Sequence, residues 1–584
     1  MKHNALRRLL CIVLCLASVG ITFVSCNQDE PDTTANSESQ SQEPSSDQVV
    51  EEIICFLKSD LPKFKIVFST GSPTKIIESA ENLATLIEYK TGTKLQVTTD
   101  KIRDGSDTLC EYEYEILIGS TNRDESAAFM KNLRQNDYAY GCIGTKILIG
   151  AHDDYSLSQA ITFFTTNIVY KISSDEVFFS SEMAKHEKAE YSIDSLTLNG
   201  ESIAEYRIVH SADATSFTKD LALKLQLNIA DLCGYVLPIV TDDVAADGTP
   251  ELLIGSTARS SAPSGLNQMS GYIVGNGASV SLYGETTYGD AAAIKAFVSC
   301  MEREIRDDKT CKLDFSGSSE FKPEYDEVVA MTFNLQTTSM DDARNERIVG
   351  TILKSLPDVI GVQEANVTFM GWLPTRLSEY YHCVGTGTQG GTSGKGNEHC
   401  AIFFSKERFE LIETKTYWLT DTPEIKSELE GQAWPRIYTY VLLKDKTTGK
   451  RLVHLNTHLD TASSEIRVKE AELILEFLKK FNDVPVILSG DFNAARTTNE
   501  LKTLFNAGFA DASMMLDKEF YESKPYLEKG NIDYVIVTSD SLQITDYTVE
   551  GDRIFGYAAS DHSAVYITFE FKELSGAINH GWNN

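Results

Sequence analysis

Basic residues are scarce in this 584-residue chain: 53 lysines and arginines stand against 85 aspartates and glutamates, and the formal net charge is −32. No stretch combines clustered lysine or arginine with interleaved aromatic residues. Because an acidic surface repels a phosphate backbone, this composition argues against tight nonspecific binding of extended nucleic acid. It does not exclude a cleft that is locally positive or filled by a metal ion.

Common metal and nucleotide motifs are also missing. The eleven cysteines include no C-x-x-C pair, which argues against a zinc knuckle. No H-E-x-x-H occurs, and His454 and His458 lie in a segment that alternates like a strand. The run GTGTQGGTSGKGNEHC is not a P-loop, because Gly396 follows its lysine where Ser or Thr is required. It is predicted to be a flap, with Asn397 and Glu398 at the edge of a site.

The N-terminal 25 residues have the pattern of an export signal. Three basic residues precede LLCIVLCLASVGITFV, an apolar run that is short for a membrane-spanning helix. The following FVSC resembles a bacterial lipobox, which implies cleavage before Cys26 and a lipid anchor on that residue. Residues 26–50 are predicted to be a disordered polar tether. We expect a lipoprotein on the outer face of a bacterial membrane, with free secretion or an uncleaved anchor as alternatives.

Eight cysteines follow the predicted lipid site. Export permits disulfides, and Cys300 with Cys311, or Cys383 with Cys400, are the pairs closest in sequence. Sequence alone does not determine connectivity, and buried thiols are the alternative.

The chain between residues 60 and 320 contains an internal duplication. EILIGSTNR at 115–123 returns as ELLIGSTAR at 251–259, and a helix-like segment precedes each copy. The flanking patterns predict two small α/β modules, residues 60–192 and 200–320. Neither copy contains a convincing catalytic set. Both resemble accessory domains that precede the catalytic domain of some secreted glycoside hydrolases, so we interpret them as spacers or binding modules, with a glycan or cell-wall ligand left open.

From about residue 324 onward, polar residues stand at the ends of apolar strands. VVAMTFNLQ, PDVIGVQEA and VPVILSGDFN each end in this way, and alternation in RLVHLNTHLD puts its histidines on one face. One such residue would be a turn former, but several in layered α/β strands predict a common site. The residues concerned are Asn334, Glu364, His458, Asp491, Asn493, Asp533, Asp561 and His562.

The pieces FNLQ, DVIGVQEA, NTHLD, SGDFNA, NIDYVIV and SDHSAV stand in this order within residues 324–572. As a set they resemble the endonuclease/exonuclease/phosphatase superfamily, the DNase I-like metal-dependent phosphoesterases. The resemblance implies a four-layered α/β sandwich, in which two β-sheets are flanked by helices and the site lies at one end of the sheets. The expected architecture is thus α/β throughout, with two duplicated small modules before this sandwich.

The metal ligands that the resemblance implies are Asn334, Glu364 and Asp561. Oxygen ligands suit Mg²⁺ or Mn²⁺ better than zinc. Such an ion would polarise the phosphoryl oxygen and offset charge on the leaving group. Gln336 stands where some nucleases of the family have a second acidic ligand, which weakens a two-metal interpretation.

The catalytic residues that the resemblance implies are His458, Asp491, Asn493, Asp533, Asp561 and His562. Asp491 is expected to orient and deprotonate the attacking water, while Asn493 bonds the phosphate or fixes Asp491. His562 is expected to contact a phosphoryl oxygen, with its tautomer held by Asp533. His458 is expected to bind the phosphate or to protonate the leaving oxygen. Asp561 is expected to assist in binding metal or water.

Arg436, in WPRIYTY, is a further candidate for substrate binding, beside Asn493 and His458. A guanidinium matches the geometry of phosphate. An ordinary ion pair is the alternative interpretation of this arginine.

The resulting hypothesis is an exported, membrane-anchored hydrolase of phosphate esters that uses Mg²⁺ or Mn²⁺. Phosphodiesters, phospholipid head groups and sugar phosphates are the favoured substrates, and extended nucleic acid is not favoured. Two alternatives stay open: an exported nuclease with the same site, and a surface glycan-binding protein whose phosphoesterase domain is secondary.

Overall fold

The structure is a computed structural model, in which the chain divides into two compact units, Met1–Glu190 and Tyr191–Asn584. The residues it describes are 53–101, 110–172, 176–260, 265–267, 270–322, 327–337, 342–391, 396–516, 531–550, 554, 557–573 and 577–582. The predicted signal, Cys26 and the tether lie outside these residues. Within them, no helix is both long and apolar enough to cross a bilayer, and no disulfide joins the eight cysteines.

The α-helices are α1 (Thr74–Thr91), α2 (Asp124–Met130), α3 (Asp154–Phe164), α4 (Ser216–Cys233), α5 (Thr287–Arg303), α6 (Asp342–Ser355), α7 (Val367–Arg376), α8 (Ser464–Leu478) and α9 (Asn499–Asn506). Short 3₁₀ helices span Lys58–Lys63, Ser181–Met183, Ile203–Glu205, Lys479–Phe481 and Ala512–Met515, and a π-helix spans Thr165–Val169.

The strands of the first unit are β1 (Cys55–Leu57), β2 (Lys65–Phe68), β3 (Gln96–Thr99), β4 (Glu115–Ile118), β5 (Tyr138–Ile143), β6 (Lys146–Ala151), β7 (Val177–Ser180) and β8 (Lys185–Glu187). The next module has β9 (Ser195–Leu198), β10 (Glu201–Ser202), β11 (Arg207–His210), β12 (Ile239–Thr241), β13 (Glu251–Ile254), β14 (Gly271–Asn276), β15 (Ser279–Gly284), β16 (Thr310–Leu313) and β17 (Gly317–Phe321).

The C-terminal strands are β18 (Glu327–Asn334), β19 (Val359–Ala365), β20 (Tyr381–Val384), β21 (His399–Ser405), β22 (Phe409–Trp418), β23 (Ile437–Asp445), β24 (Arg451–His458), β25 (Val486–Asp491), β26 (Phe509–Asp511), β27 (Asp533–Thr538), β28 (Leu542–Glu550) and β29 (Ala564–Phe571).

The duplicated sequence folds into two sheets with the same order of strands. The first sheet runs β3-β2-β4-β6-β5-β8, and the second runs β12-β11-β13-β15-β14-β17. Each copy of the I-G-S-T motif begins at the last residue of a fully buried strand, β4 or β13. The helices α1 and α4 both end at a glycine in the left-handed region, Gly92 and Gly234, which closes the helix without a Cβ clash. Sequence repetition is therefore matched by repetition of the chain path.

The C-terminal part is a four-layered sandwich, and the predicted fold class is confirmed. One sheet runs β20-β21-β19-β18-β29-β28 and the other β22-β23-β24-β25-β27-β26. Apolar side chains from both sheets, such as Val328 and Ile487, fill the layer between them. Helices α6 and α7 cover the outer face of the first sheet, and α8 and α9 cover that of the second. Alternate residues of each strand thus face a helix layer and the layer between the sheets.

The second module and the sandwich share one apolar core within their unit. Leu221 and Leu225 of α4 belong to the same buried cluster as Ile348 and Ile352 of α6. At the edge of this contact, Arg376 donates to both carboxylate oxygens of Asp220, each at 2.6 Å. Helix α6 therefore lies between the sheet of the sandwich and the second module, and it is covered on both sides.

Candidate active site

Strand direction brings the predicted residues to one end of the sandwich. The strands β18 and β19 are parallel, as are β24 and β25, so that Asn334 is paired with Gln363 and His458 with Asp491. The antiparallel strand β27 begins at this same edge and pairs Asp533 with Asp491. A Cβ at Gly490 would lie 2.1 Å from the Thr457 carbonyl oxygen, so only glycine lets β25 approach β24 here.

Asn334 connects carboxylates from the two sheets. Its Nδ2 donates to Glu364 Oε1 at 3.1 Å and to Asp491 Oδ2 at 3.0 Å, while its Oδ1 accepts from the Gln336 amide at 3.0 Å. The amide of Thr337 donates to the other oxygen of Glu364 at 2.9 Å. The buried asparagine therefore sets the orientation of both acids.

Two histidines lie near the same oxygen of Asp491 that accepts from Asn334. The distance from His458 Nε2 to Asp491 Oδ2 is 3.5 Å, and that from His562 Nε2 to the same oxygen is 3.9 Å. The other ring nitrogen of His562, Nδ1, lies 2.7 Å from Asp533 Oδ2. The carboxylate of Asp533 fixes the ring of His562 so that Nε2 faces Asp491.

Burial and neighbouring charges give these groups different protonation states. Burial raises the pKa of Asp491 to about 6, with the charge of Asp533 as a second cause. The hydrogen bond to Asp533 raises the pKa of His562 to about 9. Burial lowers the pKa of His458 well below its ordinary value, and Arg436 and His562 add to this effect. At neutral pH, His562 is therefore an imidazolium and His458 a neutral imidazole.

Three residues around the site have a left-handed backbone, which is uncommon for residues with a side chain. The φ angles of Gln336, Glu364 and Asn493 are 53°, 54° and 47°. Asn493 donates its backbone N–H to Asp491 Oδ1 at 2.9 Å and its side-chain amide to the Leu459 carbonyl at 2.9 Å. Such conformations are held by surrounding contacts and concentrate at functional sites. Here they aim Glu364 inward and hold Asp491.

The structure places two of the predicted residues differently from this group. Arg436 is buried, and its Nε lies 3.3 Å from Asp460 Oδ2. Asp460 also accepts backbone N–H groups from Ala433 and Trp434, so the arginine is held in an ion pair beside His458. Asp561 is exposed, and one of its carboxylate oxygens lies 3.4 Å from the Ser560 hydroxyl oxygen.

Ser560 is a site residue that sequence reasoning missed. Its hydroxyl donates to the Asn334 carbonyl at 2.7 Å and accepts from the His562 amide at 3.2 Å. It therefore ties the loop that carries His562 to the end of β18. Its position directly before Asp561 and His562 was the available signal.

The donor set fits a divalent cation. Ligand atoms of Asp491, Asp533 and His562 lie within 4.8 Å of one another. Asp533 Oδ1 is buried without a hydrogen-bond partner among the described residues, as expected of an atom that faces a ligand. Carboxylate oxygens near the amide of Asn334 suit Mg²⁺ or Mn²⁺. Asn334 as placed presents its nitrogen to the acids, so the amide would have to turn to act as a ligand.

The C-terminal half is thus a layered α/β sandwich with a cluster of carboxylates and imidazoles at one end of its sheets. Residues 331–562 match the model of the Endonuclease/Exonuclease/phosphatase family. The name covers enzymes that hydrolyse phosphate esters. The resemblance inferred from the sequence is confirmed.

Individual relatives are distant. The chain is 27% identical over 169 residues to Protein angel of Drosophila melanogaster, covering 28% of this chain and 46% of that protein. It is 24% identical over 267 residues to Nocturnin of Xenopus laevis, covering 40% and 65%. The chain thus spans from about half to just under two thirds of these relatives. A solved endonuclease/exonuclease/phosphatase from Bacteroides vulgatus is 25% identical and covers 42% of this chain and 99% of its own, with a TM-score of 0.38.

Proposed function

We propose that this protein is a phosphoesterase that depends on Mg²⁺ or Mn²⁺ and acts on phosphodiesters or on phospholipid- and sugar-phosphate-type esters. The observation that carries this proposal is Asp491, buried between the amide of Asn334 and two histidines in opposite protonation states. We further propose an exported lipoprotein anchored through Cys26, for which release from the membrane fraction by Cys26→Ala is the test.

Asp491 would act as the base for the attacking water. Its raised pKa, about 6, leaves it ionised at neutral pH yet makes it a better proton acceptor than an ordinary aspartate. Hydrogen bonds from Asn334 and from the Asn493 backbone hold the carboxylate in one orientation. A fixed base near its operating pKa is what proton abstraction from water requires.

The two histidines would have different tasks. His562 carries a positive charge at neutral pH and would donate to a phosphoryl oxygen, where negative charge accumulates. His458 is neutral, so it would orient water or phosphate through a hydrogen bond without adding charge. Of its two predicted roles, burial favours phosphate binding over protonation of the leaving oxygen. Arg436 is already paired with Asp460, so it would act as a positive neighbour of the site.

The ion would be held among Glu364, Asp491 and Asp533, with Asn334 and Asp561 as further candidates and the protonated His562 beside it as a donor to the phosphate. When bound, it would supply Lewis-acid stabilisation of charge on the phosphate.

The decisive experiment measures hydrolysis of bis-p-nitrophenyl phosphate and p-nitrophenyl phosphate by residues 27–584, with Mg²⁺, with Mn²⁺ or with EDTA. The test variant is Asp491→Asn, and Asp483→Asn is the matched control, because Asp483 is exposed near the opposite end of the same strand. We expect Asp491→Asn to lower turnover by at least about 100-fold, because it removes the general base. We expect EDTA to cause a loss of similar size, because it removes the metal ion. Turnover that survives both would refute the proposal. Preference for the diester or the monoester would identify the substrate class.

A further inference from the structure

A second cavity lies between the second module and the sandwich. Its volume is about 230 Å³, and it is lined from the module by Lys224, Ala291 and Lys295 and from the sandwich by Ser355, Asp358 and Arg408, among others. An apolar cavity of roughly 150 Å³ can hold benzene, so this cavity has room for a small organic molecule.

This cavity is remote from the active site. Glu327, at the start of β18, also lines it, whereas Asn334 at the end of β18 belongs to the active site. Seven steps of about 3.3 Å along a strand separate the two, which is roughly 23 Å. A ligand in this cavity would therefore not touch the residues proposed for catalysis.

Lys224 is the unusual residue of this cavity. It is only 7% exposed, and its ammonium donates to the carbonyl oxygen of Lys354. Lys295 lies 3.7 Å from Glu327, and Arg408 lies 3.1 Å from Asp358, so both have acidic partners. In the part of the chain that the structure describes, no carboxylate lies within ion-pair distance of Lys224.

Burial of this amine is costly unless an acceptor compensates for it. Desolvation lowers the pKa of Lys224 to about 7, with the charge of Lys295 as the next cause and the charge of Glu302 acting in the opposite direction. A second donor faces the same cavity, because the buried hydroxyl of Ser355 has no hydrogen-bond partner among the described residues. The Lys224 ammonium has three N–H groups and one described acceptor, the Lys354 carbonyl, and the Ser355 hydroxyl has none, so both have donor capacity for a ligand that accepts hydrogen bonds.

We propose that this cavity binds a small organic anion, a monocarboxylate with a short apolar body. The carboxylate accepts from the Lys224 ammonium and from the Ser355 hydroxyl. The apolar body lies against Ala291, Val329 and Leu356, which also line the cavity. Because the wall comes from both the module and the sandwich, the anion stabilises their contact. This inference does not depend on the phosphoesterase proposal.

Calorimetric titration and thermal unfolding of residues 27–584 with butyrate and with benzoate test it, with butylamine as the cationic counterpart. We expect a saturable rise in the unfolding temperature with at least one carboxylate and none with the amine. Lys224→Met should weaken carboxylate binding at least 10-fold. Lys219→Met is the matched control, since Lys219 is exposed on the same helix and should leave binding unchanged.

A second measurement covers the case in which Lys224→Met does not fold. Reductive methylation of the unmodified protein, read by mass spectrometry, should label Lys224 more slowly when the carboxylate is present, while labelling of Lys219 stays unchanged. Absence of carboxylate binding up to about 50 mM, equal binding by butylamine, or equal binding by the two variants would each overturn the proposal.

Discussion

At the scale of single residues, Asp533 fixes the orientation and the charge of His562, in addition to its place among the candidate ion ligands. It accepts from the His562 ring at 2.7 Å and is the first cause of the raised pKa of that histidine. Without the carboxylate, the ring loses both its orientation and the charge that favours its protonated form. The catalytic value of His562 should therefore depend on Asp533 even though the two side chains come from different strands.

We expect Asp533→Asn to lower kcat/KM by about 10- to 100-fold, the usual cost of removing a carboxylate behind a functional histidine. Kinetics on bis-p-nitrophenyl phosphate would measure this. Asp540→Asn is the matched control, because Asp540 is an exposed aspartate that lies 2.9 Å from His580 Nδ1, in a pair outside the site. An equal loss in both variants would show that the effect is structural.

The buried carboxyl of Asp290 should make the stability of the second module depend on pH. Burial raises the pKa of its carboxyl to about 7, although the Gly284 amide donates to it at 2.8 Å. A raised folded-state pKa means that the folded protein holds a proton which the unfolded chain has lost between about pH 4 and pH 7. Stability from this group therefore falls as pH rises through that window.

We expect Asp290→Asn to remove this dependence. Relative to wild type, the variant should gain on the order of 4 kcal/mol between pH 4 and pH 8, at about 1.4 kcal/mol per pKa unit. Unfolding temperatures at both pH values would measure it. Asp213→Asn controls for the loss of one exposed charge in the same module. Parallel pH profiles for wild type and Asp290→Asn would contradict the assignment.

At the scale of secondary-structure elements, a buried polar layer joins the two sheets just below the site. Gln363 Nε2 donates to Asn456 Oδ1 at 2.6 Å, and Asn456 Nδ2 donates to the Val362 and Ala401 carbonyls at 2.8 and 3.0 Å. Ser489 donates to Asn456 at 3.3 Å. These residues stand one or two positions before Glu364, His458 and Asp491, so the layer sets how the two sheets present the site.

Gly361 leaves the room that this polar layer needs. A Cβ there would lie 2.3 Å from Ser489 Oγ and 2.5 Å from Asn456 Oδ1. We expect Gly361→Ala to destabilise the protein by about 1–3 kcal/mol through overpacking and to reduce turnover, measured by thermal unfolding and kinetics. Gly371→Ala is the control, since its Cβ would meet nothing within 4 Å in an exposed part of α7. Unchanged stability in Gly361→Ala would refute this view of the layer.

The sequence predicts much of the sandwich because alternation and strand ends depend only on local periodicity. His454, Asn456 and His458 share a face as expected, and that face lies between the sheets. Contacts between the two sheets do not follow from this periodicity. The bond from Asn334 to Asp491 joins residues 157 apart, and the pairing of Arg436 with Asp460 depends on the course of a loop. Neither follows from the pattern of one strand.

At the scale of the whole molecule, the second module covers a helix that the sandwich would otherwise leave open. The ring of Phe217 lies 3.9 Å from that of Tyr380, centroid to centroid, and Glu379 accepts from the Phe217 amide at 2.8 Å. Lys354 of α6 forms ion pairs with Asp231 of α4 and with Glu550 of the sandwich. The contact therefore combines an apolar core with buried charges that need both sides.

Separating the sandwich from the second module should therefore destabilise the sandwich. A fragment of residues 324–584 would expose the apolar residues of α6 that face α4, and it would leave Lys354 with one of its two acidic partners. Exposed apolar surface of this kind favours aggregation, and a buried charge that loses a partner is strongly destabilising. A fragment of residues 191–584 retains the whole unit and its core.

We expect the 191–584 fragment to be monodisperse and to unfold cooperatively, whereas the 324–584 fragment should aggregate or unfold at least about 10 °C lower, since a few kcal/mol shift the midpoint by several degrees. Light scattering and calorimetry would distinguish them. Arg376→Met in the longer fragment should produce a smaller loss, because it breaks only the ion pairs of this arginine with Asp220 and Glu346. Equal stability of the two fragments would show that the module does not stabilise the sandwich. The face of α6 that the module covers would then be stable when exposed to solvent.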